Sequence, residues 1–455
     1  MSLPKLSFLG AVGTVTGSKY LLESERRRYL IDCGLFQGFK QLRLRNWSPL
    51  VIPPSSISSV ILTHAHLDHS GYLPVLVKQG FQGPIYCTQA TRDLCGLLLP
   101  DSGFLQEKDA EFANRHGFSK HHPALPLYTR REAERTLKLF KAIDFDRPFN
   151  FSKTASITAR AAGHILGAAI LEVTMNGTKI VFSGDLGRTN SSTMVDPTSI
   201  DEADYLIVES TYGNRLHEKR DPEDALAEVI ARTAARGGVT LVAAFAVGRA
   251  QTLLYHLHRL KEARRIPDLP IFLDSPMAVD ASDIYCSHLD HQKLTPQQWR
   301  DACGVARYVH DVEESKSLDQ TRMPKVIVSA SGMATGGRIL HHLKSYAADW
   351  RNSILFSGFQ AGGTRGAAML DGAKTINIHG QKIAVNAQVA NLSMLSAHAD
   401  ADELLAWLSK FKKPPRMTFI THGEPAASDA LRVAIEDRLG WPCRVPEHGE
   451  TVALT

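Results

Sequence analysis

Few stretches of this sequence leave as little freedom as Thr63-His64-Ala65-His66-Leu67-Asp68-His69-Ser70-Gly71. It follows a short apolar run, Val60-Ile61-Leu62-Thr63, that reads as a buried strand. The histidines therefore sit where a sheet hands side chains to a cleft. In an extended chain residues two apart point the same way, which brings His64 and His66 toward one point. Asp68 and His69, in the turn beyond, face another. Three imidazoles and a carboxylate this close together are costly to bury unpaired. One or two divalent cations remove that cost, and imidazole nitrogen with carboxylate oxygen suits zinc. A solvated histidine-rich turn is the plain alternative; the position directly after a strand argues against it.

The rest of the chain repeats this strand-end grammar. Tyr20 to Leu22 and Tyr29 to Ile31 flank the charged turn Glu23-Ser24-Glu25-Arg26-Arg27-Arg28 as a hairpin. Its second strand ends in Asp32-Cys33-Gly34, where Asp32 is placed to orient metal-ligating groups or metal-bound water. Helical periodicity marks Thr88 to Arg115 and Arg130 to Ile143. Ser156 to Ala162 leads into a glycine-bracketed turn with His164, and Lys179 to Ser183 leads into Gly184-Asp185-Leu186-Gly187. Together these supply a further histidine and a carboxylate that two cations could share. The strand Tyr205 to Val208 ends in Glu209. Much later, His398 precedes a helix that Asp400 can cap, and the strand Arg416 to Ile420 ends in Thr421-His422-Gly423-Glu424.

Between these groups lies a long stretch, roughly 220 to 365, with its own helix–strand alternation, the pattern of a parallel sheet. Asp221 followed by Pro222 opens its first helix. Its buried strands end in small-residue loops, each leading to a helix start or an arginine. These are Gly248-Arg249-Ala250-Gln251, Asp274-Ser275-Pro276-Met277-Ala278, Ser329 to Arg338 with Ser331 and Gly332 at its start, and Ser357 to Gly366 with Arg365. Such loops offer backbone N–H groups to anions, and Arg249, Arg338 and Arg365 could add forked contacts to phosphate. No Walker loop is present, which sets nucleotide hydrolysis aside.

Composition narrows the setting without deciding it. The 455 residues have room for two or three domains, and 44% hydrophobic with 22% charged residues is an ordinary globular balance. A net charge of +5 is compatible with a polyanionic partner but does not argue for one. Six scattered cysteines without a C-x-x-C pair speak against a zinc ribbon and for free thiols in a reducing compartment. Neither a signal-peptide pattern nor an apolar run of membrane-spanning length is present, so a cytoplasmic location without membrane contact is expected.

Taken in order, these motifs resemble the β-CASP group of metallo-β-lactamase nucleases over nearly the whole chain. Asp32, the His64/His66/Asp68/His69 cluster, His164, Asp185, Glu209, Ser396-Ala397-His398-Ala399-Asp400 and Thr421-His422-Gly423-Glu424 carry the match. Gly248-Arg249-Ala250-Gln251 and Ser331-Gly332-Met333 extend it into the inserted stretch. The resemblance implies a metallo-β-lactamase αβ/βα sandwich with an inserted α/β β-CASP domain. Residues 1–209 would form the first part of the sandwich, 210–368 the β-CASP domain and 369–455 the second part. It further implies that His64, His66 and His164 bind one zinc, that Asp68, His69 and His422 bind a second, and that Asp185 bridges them. A histidine at position 422 is typical of the RNA-processing members.

The expected activity is hydrolysis of single-stranded RNA by a hydroxide held between two zincs, acting internally and leaving a 5′-phosphate and a 3′-hydroxyl. Manganese is the alternative metal. Asp32, Asp68, Glu209 and His398 form the expected catalytic set, with His398 held by Glu209 to bind the scissile phosphate or protonate the leaving oxygen. Arg249, Ser331, Gly332 and Arg365 are the expected substrate-binding residues. A homodimer is compatible with the sequence. Three other readings compete. A thioester or lactam hydrolase of the same superfamily explains the metal ligands but gives the inserted stretch, Glu209 and His398 no purpose. A DNA nuclease and an inactive RNA-binding subunit are the others, and against the last every ligand position is filled.

Overall fold

The structure is a computed structural model and describes residues 3–455 except positions 26, 118 and 322. Arg26 of the expected turn thus lies outside the described residues. The chain divides into two compact units, Met1–Leu216 with His398–Thr455, and His217–Ala397.

The first unit is built on two seven-stranded sheets. One runs, edge to edge, Thr451–Ala453, Lys5–Phe8, Tyr20–Ser24, Arg27–Ile31, Ser59–Ile61, Ile85–Thr88 and Phe140–Ile143. The other runs Cys443–Arg444, Met417–Ile420, Tyr205–Val208, Thr178–Phe182, Ala169–Met175, Ala155–Ala161 and Phe149–Asn150. Alternate strand residues point between the sheets. Phe8, Leu22, Ile31 and Ile61 from the first meet Ile157, Val173, Phe182, Ile207 and Phe419 from the second in one buried core. Helix Gln89–His116 packs on the strands Ile85–Thr88 and Phe140–Ile143, and helix Pro425–Leu439 packs on Met417–Ile420. The result is an αβ/βα sandwich.

The chain leaves this unit after Tyr205–Val208 and returns through Met417–Ile420, which lies parallel beside it with Val208 opposite Ile420. A long insertion between neighbouring strands leaves the core pairing intact. One expectation needs correcting. The helical pattern from Arg130 breaks after Thr136, and Phe140–Ile143 is an edge strand beside Ile85–Thr88. Phe140 and Ile143 are buried there while the two residues between them are exposed, a pattern local periodicity alone assigns to either structure.

The second unit holds a six-stranded, all-parallel sheet ordered Arg307–Tyr308, Ile271–Asp274, Lys325–Ser329, Val239–Ala243, Ser353–Phe356, Gln388–Asn391. Its strands divide their side chains between two cores. Leu241, Ile327, Ile354 and Phe356 enter one, whereas Val242, Val326, Val328 and Leu355 enter the other. Both faces are covered, as parallel sheets require. Asp221 caps helix Pro222–Ala235 by accepting from Glu223 N. The sheet reaches past residue 368 because Gln388–Asn391 pairs with Ser353–Phe356, and the hairpin Thr375–Ile378 with Gln381–Ala384 belongs to the same unit.

At the end of Ile271–Asp274, the fully buried Asp274 accepts from Ser315 Oγ (2.5 Å), the Arg338 guanidinium and His342 Nε2 (2.7 Å). His342 Nδ1 lies 2.7 Å from Asp319. Arg338 also donates to the carbonyls of Val309 and His310, so its fork has protein acceptors. Burial opposes charge on His342, but hydrogen bonds to Asp274 and Asp319 outweigh it and raise its pKa above the ordinary 6.5. Burial likewise opposes ionisation of Asp274, and hydrogen bonds from His342, Ser315 and Arg338 overcome it, holding the carboxyl below 3.8. A base raised by folding stabilises fully below its unfolded pKa, and that contribution is lost as pH climbs through the folded value. The depressed carboxyl contributes above its unfolded value and loses this as pH falls through the folded one. The stability gap between wild type and His342→Gln, measured by denaturant unfolding, is therefore expected to shrink as pH rises beyond the imidazole range. A gap constant from pH 5 to 9 would contradict this.

Candidate metal centre

Six strands of the first unit deliver side chains to one place. Asp32 follows Arg27–Ile31, His64 follows Ser59–Ile61, His164 follows Ala155–Ala161, Asp185 follows Thr178–Phe182, Glu209 follows Tyr205–Val208, and His422 follows Met417–Ile420. The turns are steep, with Gly163, Gly167, Gly184, Asp32 and His422 at positive φ.

Among the described residues two histidine-rich groups result here, each with potential ligand atoms within 4.8 Å of one another, and Asp185, Glu209 and His398 form a third beside them. In the first, His66 Nδ1 is 3.2 Å from both His64 Nε2 and His164 Nε2, and Asp185 Oδ2 is 3.5 and 3.6 Å from those two ε nitrogens. In the second, His69 Nε2 is 3.1 Å from His422 Nε2, which lies 3.5 Å from Asp68 Oδ2. Asp185 joins them. Its Oδ2 faces the first group, and its Oδ1 lies 3.2 Å from His69 Nε2 in the second.

This donor set fits divalent cations. Ring nitrogens packed against ring nitrogens leave lone pairs facing one another, an arrangement a cation relieves. Asp185 Oδ1 is buried without a well-angled hydrogen bond despite the nearby His69. Charges follow the same layout. Burial, then the charge on His69, pushes His64 well below its usual range, and burial does the same to His66 more mildly. Burial opposes a charge on His69, but Asp185 and Asp32 outweigh it and raise its pKa. Burial also opposes ionisation of Asp185, yet His422, His69 and His64 hold its carboxyl well below the carboxylate range. The protein thus keeps Asp185 charged and His64 and His66 neutral, the states a metal needs, whereas His69 between two carboxylates is held in its charged form until a cation displaces the proton.

Around this set stands a shell of hydrogen bonds. Asp32 accepts from Thr63 N (2.8 Å) and Thr63 Oγ1 (2.9 Å), and its Oδ2 lies 2.7 Å from His69 Nδ1. That contact turns His69 Nε2 toward Asp185 and His422. Glu209 accepts from Leu186 N and Thr211 Oγ1, both at 2.6 Å, and from His398 Nδ1 at 3.1 Å. His398 is further fixed by a β-bridge to Gly187 and a ring contact with His164, with centroids 4.5 Å apart. Burial disfavours its charged form, but the Glu209 carboxylate prevails and raises its pKa. His66, Asp68 and His398 are half-buried while the other ligand candidates are buried, so this side of the cluster meets solvent.

Sequence reasoning did not single out Thr63, Thr211 or Lys19. Thr211 Oγ1 joins Glu209 to His422 Nδ1, 3.1 Å away, and the buried Lys19 ammonium donates to the carbonyls of Gly34 and Gly17. Only the adjacency of the two threonines to candidate residues marks them in the sequence. Lys19 gives no such signal. Gly34 shows how tight this shell is. A Cβ there would lie 1.6 Å from the Asp68 carbonyl oxygen and 2.7 Å from His69 N. Gly34→Ala must therefore push the ligand-bearing turn outward, and a loss of roughly 3 kcal/mol or more in folding stability is expected. Metal content should fall with it, read by denaturant unfolding and elemental analysis. Wild-type values for both would show that the turn yields freely.

The four substrate-binding candidates lie in the second unit. Loops after Lys325–Ser329, Val239–Ala243 and Ser353–Phe356, three adjacent parallel strands, carry them at one sheet edge. Ser331 Oγ accepts from Thr335 N (3.0 Å), and Gly332 sits where a Cβ would strike the Phe245 ring at 2.5 Å. Arg365 donates to the carbonyls of Asn377 (2.6 Å) and Ala334 (3.1 Å), and Arg249 is buried at the start of helix Arg249–Glu262.

Comparison with known proteins agrees with this architecture. Residues 12–227 match the metallo-β-lactamase superfamily, and residues 250–369 match the Beta-Casp domain. The chain belongs to the β-CASP branch of the metallo-β-lactamase superfamily. Residues 382–446 match a Zn-dependent metallo-hydrolase RNA specificity domain. Ribonuclease TTHA0252 of Thermus thermophilus is 35% identical over 422 residues, covering 91% of this chain and 92% of that one. The transcription termination factor FttA of Methanosarcina mazei is 31% identical, covering 99% of this chain and 71% of its own length. A crystal structure of a protein of unknown function from Enterococcus faecalis shares the fold. Its TM-score is 0.53 at 14% identity, covering 99% of this chain and 100% of that one. As a β-CASP protein the chain has the donors for divalent metal. Among the described residues no helix is long and apolar enough to cross a membrane.

Proposed function

We propose that this β-CASP protein is a ribonuclease that hydrolyses phosphodiester bonds of single-stranded RNA, cutting internally, with two zinc ions as its cofactors. The observation that carries this is Asp185, whose two oxygens face two separate histidine groups. His64, His66, His164 and Asp185 would hold one ion, and Asp68, His69, His422 and Asp185 the other; manganese is the alternative metal. Bound there, the ions supply Lewis acidity and bring the pKa of water toward neutrality.

The protein's own groups do the rest. Asp32 and Thr63 fix the ring of His69, and Thr211 fixes that of His422. Glu209 holds the Nδ1–H of His398 and favours the imidazolium, so the proton on Nε2 is available for transfer. In the reaction a water molecule gives up a proton to solvent as its oxygen becomes bonded to phosphorus, the P–O3′ bond breaks, and His398 delivers a proton to the departing O3′ and is reprotonated from solvent. The products are a 5′-phosphate and a 3′-hydroxyl. Arg249, Ser331, Gly332 and Arg365 are assigned to the phosphodiester backbone, on the ground that all four lie at the carboxyl edge of a parallel sheet, where open α/β sheets bind ligands. The substrate class rests on the matched RNA specificity domain and on the ribonuclease relative. A cytoplasmic location and a homodimer complete the reading.

A fluorescent RNA oligomer, its DNA counterpart, a circular RNA and a thioester panel offered to the zinc-loaded protein test it. Cleavage of linear and circular RNA with 5′-phosphate products is expected. Thioester turnover with intact RNA would transfer the centre to small-molecule chemistry.

A further inference from the structure

Between Cys33 and Leu67 the sequence contains no Asp or Glu, yet it carries Lys40, Arg43 and Arg45. The same stretch exposes Phe39 (56%), Leu44 (52%), Trp47 (57%) and Val51 (76%). Helix Lys40–Arg45 buries none of its residues, and a further turn follows, with Trp47 N donating to Leu44 O at 3.1 Å. Helical spacing sets Lys40, Leu44 and Trp47 along one stripe and Phe39 with Arg43 along the next.

The segment is held rather than loose. Buried Asn46 accepts from Phe36 N (2.9 Å) and donates to Phe36 O (2.8 Å), and the Arg45 guanidinium lies 5.5 Å from the Phe36 ring centroid. From Phe36 the chain leads directly back to the metal cluster. Leu35 N donates to Leu67 O (2.8 Å), and Cys33 N donates to His69 O (2.7 Å). An aromatic and cationic surface is thus tied to the turn that bears Asp68 and His69.

Exposed aromatics beside cations, with no carboxylate in the segment to balance them, form a platform for unpaired bases and their phosphates. A second copy of this chain is a poorer occupant, because a two-fold contact would set these cations against the same cations. We propose that residues Phe39–Val51 form a single-stranded RNA-binding surface, with Phe39 and Trp47 stacking on bases and Lys40, Arg43 and Arg45 pairing with phosphates. The inference rests on the ribonuclease reading and adds to it a place where substrate is gripped.

The test is fluorescence anisotropy of an eight-nucleotide phosphorothioate RNA with the full, metal-loaded chain across a salt series. Phe39→Ala/Trp47→Ala should weaken binding about tenfold to a hundredfold and leave the salt slope unchanged. Lys40→Gln/Arg43→Gln/Arg45→Gln should reduce the slope of log affinity against log salt by about 2, roughly 0.7 per phosphate contact. All five residues are exposed, so melting temperatures should stay at the wild-type value. Wild-type affinity and slope in both variants would overturn the proposal. So would a change of oligomeric state in sedimentation, which would assign the surface to contact between copies. Wild type that neither binds nor cuts RNA would sink the parent reading; wild type that cuts RNA beside unaffected variants would sink this inference alone.

Discussion

Asp185→Ala is expected to lose bound metal and RNA cleavage together, with activity falling at least about 10⁴-fold. Its carboxylate is the group shared by the two histidine clusters, with Oδ2 3.5 Å from His64 and Oδ1 3.2 Å from His69. Removing it leaves the first cluster with imidazoles alone and the second with Asp68 as its one carboxylate, and takes away the anion that would offset positive charge shared between them. Elemental analysis and cleavage of a labelled single-stranded RNA measure both losses in one preparation. Undiminished cleavage by this variant would dismantle the assignment. Asp185→Asn keeps the shape and removes the charge. It should resemble the alanine variant in metal content, which separates electrostatics from packing.

His398→Ala is expected to keep the wild-type metal content and lose turnover by about 10²- to 10⁴-fold, the range for a proton donor. Its ring touches the cluster from one side, 4.5 Å from His164 between centroids, and its Nδ1 is committed to Glu209 at 3.1 Å. A phosphodiester with a nitrophenolate leaving group departs without protonation. The variant should therefore lose far less on that substrate than on RNA. Equal losses on both would show that His398 serves positioning rather than proton delivery. Glu209→Gln should follow the same pattern more weakly, since Leu186 N and Thr211 Oγ1 remain to hold the amide in place of the acid.

Much of this centre was legible because its grammar is local. A β-rich run followed by a histidine or acid marks a strand end, and His64, His164, Asp185, Glu209 and His422 all carry that mark, with a glycine adjacent at His164, Asp185 and His422. The structure brings these residues together. What the sequence withheld depends on partners distant in the chain. Phe140–Ile143 looks like the tail of a helix until Ile85–Thr88 is beside it. Gln388–Asn391 has the composition of either sheet, and only its pairing with Ser353–Phe356 decides its unit. Thr63 and Thr211 act through hydroxyls, which read in sequence as ordinary strand or turn residues. Lys19 is buried to reach two carbonyls, a fate that no composition rule assigns to a lysine.

The parallel seating of Met417–Ile420 against Tyr205–Val208 carries a temporal consequence. His69 and His422 stand 3.1 Å apart in space but 353 positions apart in the chain. A ribosome must make the whole intervening unit before the second half of the cage can close. A growing or prematurely terminated polypeptide therefore has an open cage, and hydrolytic capacity arrives only when that late strand docks. A nuclease assembled in this order cannot attack the message from which it is being translated until the strand bearing His422 has been made and docked.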